Sequence, residues 1–207
     1  MLFSSTNVKL PDNDVEKIEA KNRALGVLHN VSLSQEAQPK LGESASETGL
    51  LKTLVNLMQG PINIDNKSIE SLTITESDVI GLRDRACGVL WNLSTCSANR
   101  GLLAAQPDMV AVLAGMLTDT NESIAAKALI IVYYLTLAQE NRLAIAGQAG
   151  LVPGLVALMK DSAKNKDRRV KICGIFVNLS SAAENKAILA DADTGLLEAL
   201  IEAILDR

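Results

Sequence analysis

The sequence predicts an all-α protein made of repeated helical units, and three observations support this fold class. The chain has 207 residues, of which 48% are hydrophobic but only 2% are aromatic. An aliphatic core rich in Ala and Leu favours helices over strands. Four similar segments recur along the chain, and their apolar residues have the spacing of one helix face. We therefore expect a single helical domain over residues 1–207.

Composition and charge exclude several classes of protein. The formal net charge is −4, which is unfavourable for non-specific binding to nucleic acid. Three cysteines do not form a disulfide framework, and the first residues lack the pattern of a secretory signal. The longest apolar stretch, residues 128–138, is too short to cross a bilayer. We expect no membrane span and a cytoplasmic location, with the nucleus as a second compartment.

The four similar segments define the repeat. They are RALGVLHNVS (23–32), RACGVLWNLS (85–94), KALIIVYYLT (127–136) and KICGIFVNLS (171–180). Each contains an anchor position, numbered 0 below, and other repeat positions are counted from it. The anchor residues are Asn30, Asn92, Tyr134 and Asn178. Successive anchors are 62, 42 and 44 residues apart, and steps near 42 fit repeats of two or three helices.

Further positions recur in the same register. Position +2 is Ser or Thr in every copy, and the last three copies have Asn at +7 followed by a base at +8. We predict that Asn99, Asn141 and Asn185 are N-caps, because an Asn side chain accepts a bond from a free backbone N–H. An apolar run of 10 or 11 residues then follows in each copy and predicts a second helix of about 10–12 residues. Each unit is thus expected to contain a long helix, a short helix and a second helix.

These motifs resemble the armadillo repeat family at its β-catenin-like end. The motif A-x-G-x-L-x-N-L-S stands at 86–94 and, more loosely, at 24–32 and 172–180, and GLVPGLVALM (150–159) matches the family's middle helix. The resemblance covers residues 15–205, although Tyr134 and Ile130 depart from it. It implies a right-handed α-solenoid of about three full three-helix units plus partial end units. The long helix would be the third helix of each unit and would line a concave groove.

Three parts of the chain depart from a regular repeat. Residues 1–14 are expected to be flexible. Residues 59–80 account for the long first step and are predicted to be an inserted surface loop, either a disordered spacer or a flap that contacts a partner. The apolar residues of 196–205 would lack a covering helix, which indicates either a fragment or an end that pairs with a partner or with itself.

Positions −7, −4 and 0 lie nearly on one line of the long helix, because seven residues make almost two turns. Position −7 is basic in every copy: Arg23, Arg85, Lys127 and Lys171. An anchor Asn can donate to and accept from the backbone of an extended ligand. The Gly at −4 in three copies would leave room for that ligand. The alternative is that the bases at −7 only keep a solvated face soluble.

The side chains at position −1 would lie at the edge of this groove. It is His29, Trp91, Tyr133 and Val177, and Trp and Tyr are frequent hot spots of binding. The alternative is that these side chains pack between neighbouring long helices. The predicted peptide-binding residues are Arg23, Asn30, Arg85, Trp91, Asn92, Lys127, Tyr133, Tyr134, Lys171 and Asn178.

The predicted function is a non-catalytic scaffold or adaptor that holds an extended, acidic or phosphorylated protein segment in the groove. We expect no cofactor, no metal and no enzyme activity, because the chain has no nucleophile or P-loop motif and only one histidine, His29. Cys87 and Cys173 are expected in the core, and the +8 bases are expected to be solvated. Two alternatives remain: a folding or trafficking accessory that grips clients through its outer or terminal surface, and a repeat-type nucleic-acid binder.

Overall fold

The computed structural model describes residues 12–60, 76–161 and 165–205, and no strand occurs in these ranges. Twelve α-helices lie in them: α1 (Asp12–Ser32), α2 (Gln38–Glu47), α3 (Leu50–Met58), α4 (Glu76–Thr95), α5 (Ser97–Ala105), α6 (Met109–Met116), α7 (Glu122–Thr136), α8 (Arg142–Ala146), α9 (Leu151–Asp161), α10 (Lys166–Ser180), α11 (Asn185–Ala190) and α12 (Leu196–Ile204). Short 3-10 turns precede α8 and α12. The predicted all-α class is confirmed.

The helices pack in three parallel series. The long third helices α1, α4, α7 and α10 contact one another in chain order, and so do the second helices α3, α6, α9 and α12. The first helices follow the same order, with α5 reaching α8 through its 3-10 turn. The described helices therefore form three complete units, α2–α4, α5–α7 and α8–α10. They are preceded by a lone third helix, α1, and followed by α11 and α12.

The core runs through the stack between the second and third helices. Positions −6, −3 and +1 of α4, α7 and α10 are all buried: Ala86, Val89, Leu93, Ala128, Ile131, Leu135, Ile172, Ile175 and Leu179. Cys87, at position −5, is also buried as predicted, and burial raises the pKa of its thiol to about 12. Cys173 at the same position of α10 is only half-buried, because no described unit follows α10.

A residue with a left-handed backbone conformation (positive φ) precedes each second helix and turns the chain sharply between the first and second helices. Gly49, Gly150 and Gly195 have φ of 75°, 79° and 66° there. Glycine adopts this conformation without the steric cost of a Cβ. Asp108 has φ of 63° at the equivalent place, where a short polar side chain is tolerated.

The prediction that the +7 asparagines act as N-caps is wrong: Asn141 stands at the N-cap position of α8, but none of the three side chains accepts a capping bond from a backbone N–H. Asn99 lies inside α5 and is buried. Its Nδ2 donates to Leu93 O in the last turn of α4 at 3.2 Å and to Gln38 O at the start of α2 at 2.9 Å, so both acceptors belong to the preceding unit. The side chain turns back into the junction because an amide NH₂ can donate to two carbonyls at once, here one in the last turn of α4 and one in the first turn of α2.

The other two +7 asparagines repeat this contact, which we call the asparagine bridge. Asn141 Nδ2 donates to Leu135 O and Arg100 O, each at 3.1 Å. Asn185 Nδ2 donates to Leu179 O and Arg142 O, each at 3.0 Å. In all three cases the acceptors are the +1 carbonyl of the preceding third helix and the +8 carbonyl of the first helix in that same preceding unit. The bridge therefore ties each junction together in a fixed register.

The +8 bases Arg100 and Arg142 are helix C-caps, which the expectation of a solvated series missed. Arg100 Nε donates to Ser94 O at 3.1 Å, and Arg142 Nε donates to Thr136 O at 3.0 Å. A second nitrogen of each guanidinium donates to the next carbonyl, Thr95 O or Leu137 O. A cation at this place satisfies the last carbonyls and opposes the negative end of the helix dipole.

Two predicted boundaries shift. Helix α4 begins at Glu76, so residues 76–80 are helical rather than part of the predicted loop 59–80, and residues 61–75 of that loop lie outside the described residues. Helix α1 begins at Asp12, so residues 12–14 of the stretch expected to be flexible are helical. The remainder of that stretch also lies outside the described residues.

We expect Asn99→Ala to lower the free energy of unfolding by about 2 kcal/mol or more, because two carbonyls at the junction lose their donor. Urea unfolding followed by circular dichroism measures this. Asn56→Ala is the matched control, since Asn56 is exposed in α3 and the change should be near neutral. Equal effects of the two substitutions would show that the asparagine bridge does not hold the units together.

Candidate functional site

The predicted binding residues lie on α1, α4, α7 and α10, which pack side by side. Two of the −7 bases are exposed. Arg23 pairs with Glu19 of its own helix at 2.5 Å, and such an exposed pair contributes little stability. Arg85 Nη1 donates to Asn22 O of α1 at 3.3 Å. These two guanidinium groups therefore remain available to an anionic ligand.

The other two −7 bases differ from this arrangement. Lys127 Nζ forms an ion pair with Asp84 of α4 and also contacts Ser123 Oγ at 3.2 Å. Its charge is thus largely neutralised by a neighbouring helix. Lys171 is half-buried in α10 and forms no ion pair with a residue that the structure describes. The predicted ladder of four equivalent bases is therefore uneven.

Asp84 holds Lys127 by charge and hydrogen bonding. Burial alone would raise the pKa of Asp84, but the bonds from Lys127 Nζ and Ser123 Oγ outweigh it, so the pKa lies below its usual value. The prediction from the sequence missed Asp84 and Ser123. Only the packing of α7 on α4 brings Ser123 and Asp84 together, because 39 residues separate them in the sequence.

The anchor asparagines use their donors within the protein. Asn92 Nδ2 donates to Ser32 Oγ at 2.9 Å, and Asn178 Nδ2 donates to Thr136 Oγ1 at 3.1 Å. In each case the acceptor is the +2 hydroxyl of the preceding unit. Both residues are partly exposed, and Asn30, at the start of the series, is exposed. The asparagines of α4 and α10 can therefore offer a ligand their carbonyl oxygen, whereas Asn30 can offer both groups.

The glycines at −4 do not leave room for a ligand, so that interpretation is wrong. A Cβ on Gly88 would lie 2.8 Å from the ring of His29, and a Cβ on Gly174 would lie 3.0 Å from the ring of Tyr133. Each ring belongs to position −1 of the preceding third helix. The space at −4 is therefore filled by the neighbouring unit, which allows the third helices to approach closely.

The aromatic residues fall into two environments. Trp91 and Tyr133 are partly buried against the core, which supports their packing role and leaves part of each ring accessible. Tyr134 replaces an anchor Asn, and its ring makes an edge contact with Tyr133 at a centroid distance of 5.6 Å. The guanidinium of Arg100 lies 5.8 Å from the Tyr134 ring centroid, so a cation–π contact takes the place of the amide bond.

Across residues 12–60, 76–161 and 165–205, no three His, Cys, Asp or Glu side chains cluster in a way that could hold a metal. In the same ranges no single helix is both long and apolar enough to cross a bilayer, and only the bent pair Gln139–Ala146 and Leu151–Asp161 reaches that length jointly. No protein-family model matches the chain, and no curated protein matches it with significant sequence similarity.

We expect Gly88→Ala to destabilise the protein by about 1 kcal/mol or more, because the new methyl group collides with the His29 ring. Gly81→Ala, in the same helix but with open space around it, should instead stabilise by about 0.5–1 kcal/mol. Thermal unfolding of both variants checks the opposite signs. A gain in stability for Gly88→Ala would mean that the third helices do not pack through this position.

We also expect Asp84 to stabilise the fold in a pH-dependent way. Its pKa in the folded protein is lowered, so its contribution is present above the unfolded value of about 3.9 and is lost as pH falls through the folded value. The unfolding free energies of the wild type and Asp84→Asn should therefore differ at neutral pH and converge in acid. Denaturant unfolding across this pH range tests the expectation, and a difference independent of pH would contradict it.

Proposed function

We propose that this protein is a non-catalytic scaffold of the armadillo type, whose units form a right-handed α-solenoid with a concave face along the third helices. On this face it holds an extended, acidic or phosphorylated segment of a partner protein. The observation that carries the proposal is the base at −7 on each of four adjacent third helices. Two of these bases, Arg23 and Arg85, are exposed.

The dimensions of the stack suit an extended ligand. Packed helices lie about 8–10 Å apart, and an extended peptide advances about 3.3 Å per residue. One unit therefore corresponds to about three residues of ligand. A carboxylate or phosphate at that spacing would meet successive −7 bases, and Arg can bind such a group through two parallel hydrogen bonds.

The anchor position supports the same ligand. The donors of Asn92 and Asn178 are occupied by hydroxyl groups of neighbouring units. This fixes the orientation of each side chain and leaves its Oδ1 free to accept a backbone N–H of the ligand. Trp91 stands next to Asn92 and is partly exposed, so we propose that it anchors one apolar side chain of the partner.

The binding test uses fluorescence anisotropy with a labelled extended peptide that carries Glu at every third position, and a Lys-substituted peptide for comparison. We expect the acidic peptide alone to bind, and Arg85→Glu to weaken it by about tenfold or more, equivalent to about 1.4 kcal/mol. Lys52→Glu is the matched control, because Lys52 is exposed on the second helix α3. Equal losses for the two variants would mean that overall charge, and not this face, governs binding.

One further variant and one further ligand extend this binding test. Asp84→Asn releases Lys127 from its ion pair and should tighten binding of the acidic peptide. Replacing the peptide with single-stranded RNA tests the nucleic-acid alternative, for which the logarithm of affinity falls steeply with the logarithm of salt concentration. Tight RNA binding with no binding of the acidic peptide would overturn the proposed function.

A further inference from the structure

The last second helix exposes apolar side chains that its counterparts bury. Counted from the left-handed residue before each second helix, Ile204 of α12 corresponds to Met159 of α9. Ile204 is 80% exposed, whereas Met159 is 3% exposed. Leu197 and Ile201 are likewise about half exposed, while their counterparts in α9 are buried. The difference arises because α10 follows α9, but no third helix follows α12 in the described residues.

Helix α1, the first of the third helices in the chain, also exposes apolar side chains that its counterparts bury. Val27 and Val31 stand at −3 and +1 of α1 and are 62% and 43% exposed. The residues at these positions in α4, α7 and α10 are all at most 1% exposed. Those helices cover the second helix of their own unit, whereas no described second helix precedes α1. The apolar face of α1 and that of α12 thus correspond to the two sides that meet at each interior junction.

Several residues at these two ends correspond to residues that contact one another at the interior junctions. Val177, at −1 of α10, is 67% exposed, and Gly26 of α1 stands at the −4 position that receives the −1 side chain elsewhere. Asn30 is exposed, and so is Ser180, the +2 hydroxyl that an anchor Asn contacts in other units. Lys21 of α1 occupies the position of Arg83, whose Nε donates to Met58 O at the end of a second helix at 3.0 Å.

A groove of about 340 Å³ lies between α10, α11 and α12, at the place that a third helix occupies in the interior units. Its lining is largely apolar and includes Phe176, Val177, Leu197 and Leu200. In the interior units the corresponding space is occupied by a third helix that packs on the second helix of its own unit. A helix with apolar residues at −6, −3 and +1 therefore fits this groove.

We propose that the occupant is α1 of a second copy of this chain, so that the protein associates head to tail. The head is the apolar face of α1, and the tail is the apolar face of α12 with the groove beside it. Helix α1 then completes the unit begun by α11 and α12, and α2 and α3 of the incoming copy continue the stack. The contact is heterologous, so each assembled pair keeps one free head and one free tail and can extend further. This proposal does not depend on ligand binding by the −7 bases.

One position makes the junction between copies weaker than the junctions within a chain. Position +7 after Asn30 is Ala37 rather than Asn. The asparagine bridge that joins interior units therefore has no counterpart between copies. We expect reversible association that depends on protein concentration, not a permanent assembly.

Sedimentation velocity on the full chain tests the proposal with two variants at exposed positions. Ile204→Glu disables the tail and Val27→Glu disables the head, so each variant alone should stay monomeric where the wild type associates. Mixed in equal amounts, they retain one intact head and one intact tail. We expect the mixture to form a complex of twice the monomer mass that grows no further. Leu143→Glu, at an exposed apolar residue of α8 away from both ends, should associate like the wild type.

Three results would overturn the proposal. A wild type that stays monomeric at every attainable concentration excludes the association. Association of Val27→Glu alone, with Ile204→Glu monomeric, would indicate a symmetric tail-to-tail dimer. Loss of association in Leu143→Glu to the same extent as in the end variants would indicate a non-specific hydrophobic contact.

Discussion

Every unit of this chain has a surface that only the next unit can cover, and the structure depends on this junction. The third helix of one unit covers its own second helix and the third helix before it. At the edge of each of these contacts an Asn at +7 donates two hydrogen bonds to the preceding unit, one to its third helix and one to its first helix. Burial supplies the bulk of the stability, and the directional amide bonds fix the register. Repeat proteins of this kind depend on contacts between neighbours.

The junction also determines what the proposed binding face can offer. Packing between third helices requires Gly88 and Gly174 to receive a ring, and it occupies the donors of Asn92 and Asn178. It also brings Asp84 against Lys127. The sequence predicts that these same positions contact a ligand. Because packing fills the space at the glycines and occupies the asparagine donors and Lys127, fewer groups remain for a ligand. The exposed guanidinium groups and the anchor carbonyl oxygens remain, which favours an anionic ligand that also presents backbone N–H groups.

The sequence allowed the helices and their order to be predicted, because apolar residues at helical spacing recur in every unit. It did not show which recurring positions face a neighbour and which face solvent, since both kinds repeat equally well. Asn99 therefore resembled an N-cap and Arg100 a solvated base, although each contacts helix-end carbonyls. The ion pair between Asp84 and Lys127 was also hidden, because it joins residues 43 positions apart. Tyr134 departs from the motif, and its contact with Arg100 follows only from the packing of α7 on α5 within the second unit.

An NMR titration of the ¹⁵N-labelled protein with the acidic extended peptide shows directly whether the third helices form the binding face. We predict that the side-chain amide signals of Asn30 and Asn92 and the Nε signals of Arg23 and Arg85 shift together in proportion to bound peptide. Signals of the first helices should stay in place, because they lie in a separate series of the stack. Shifts confined to α2, α5, α8 and α11, or to the end formed by α12, would contradict a binding face on the third helices.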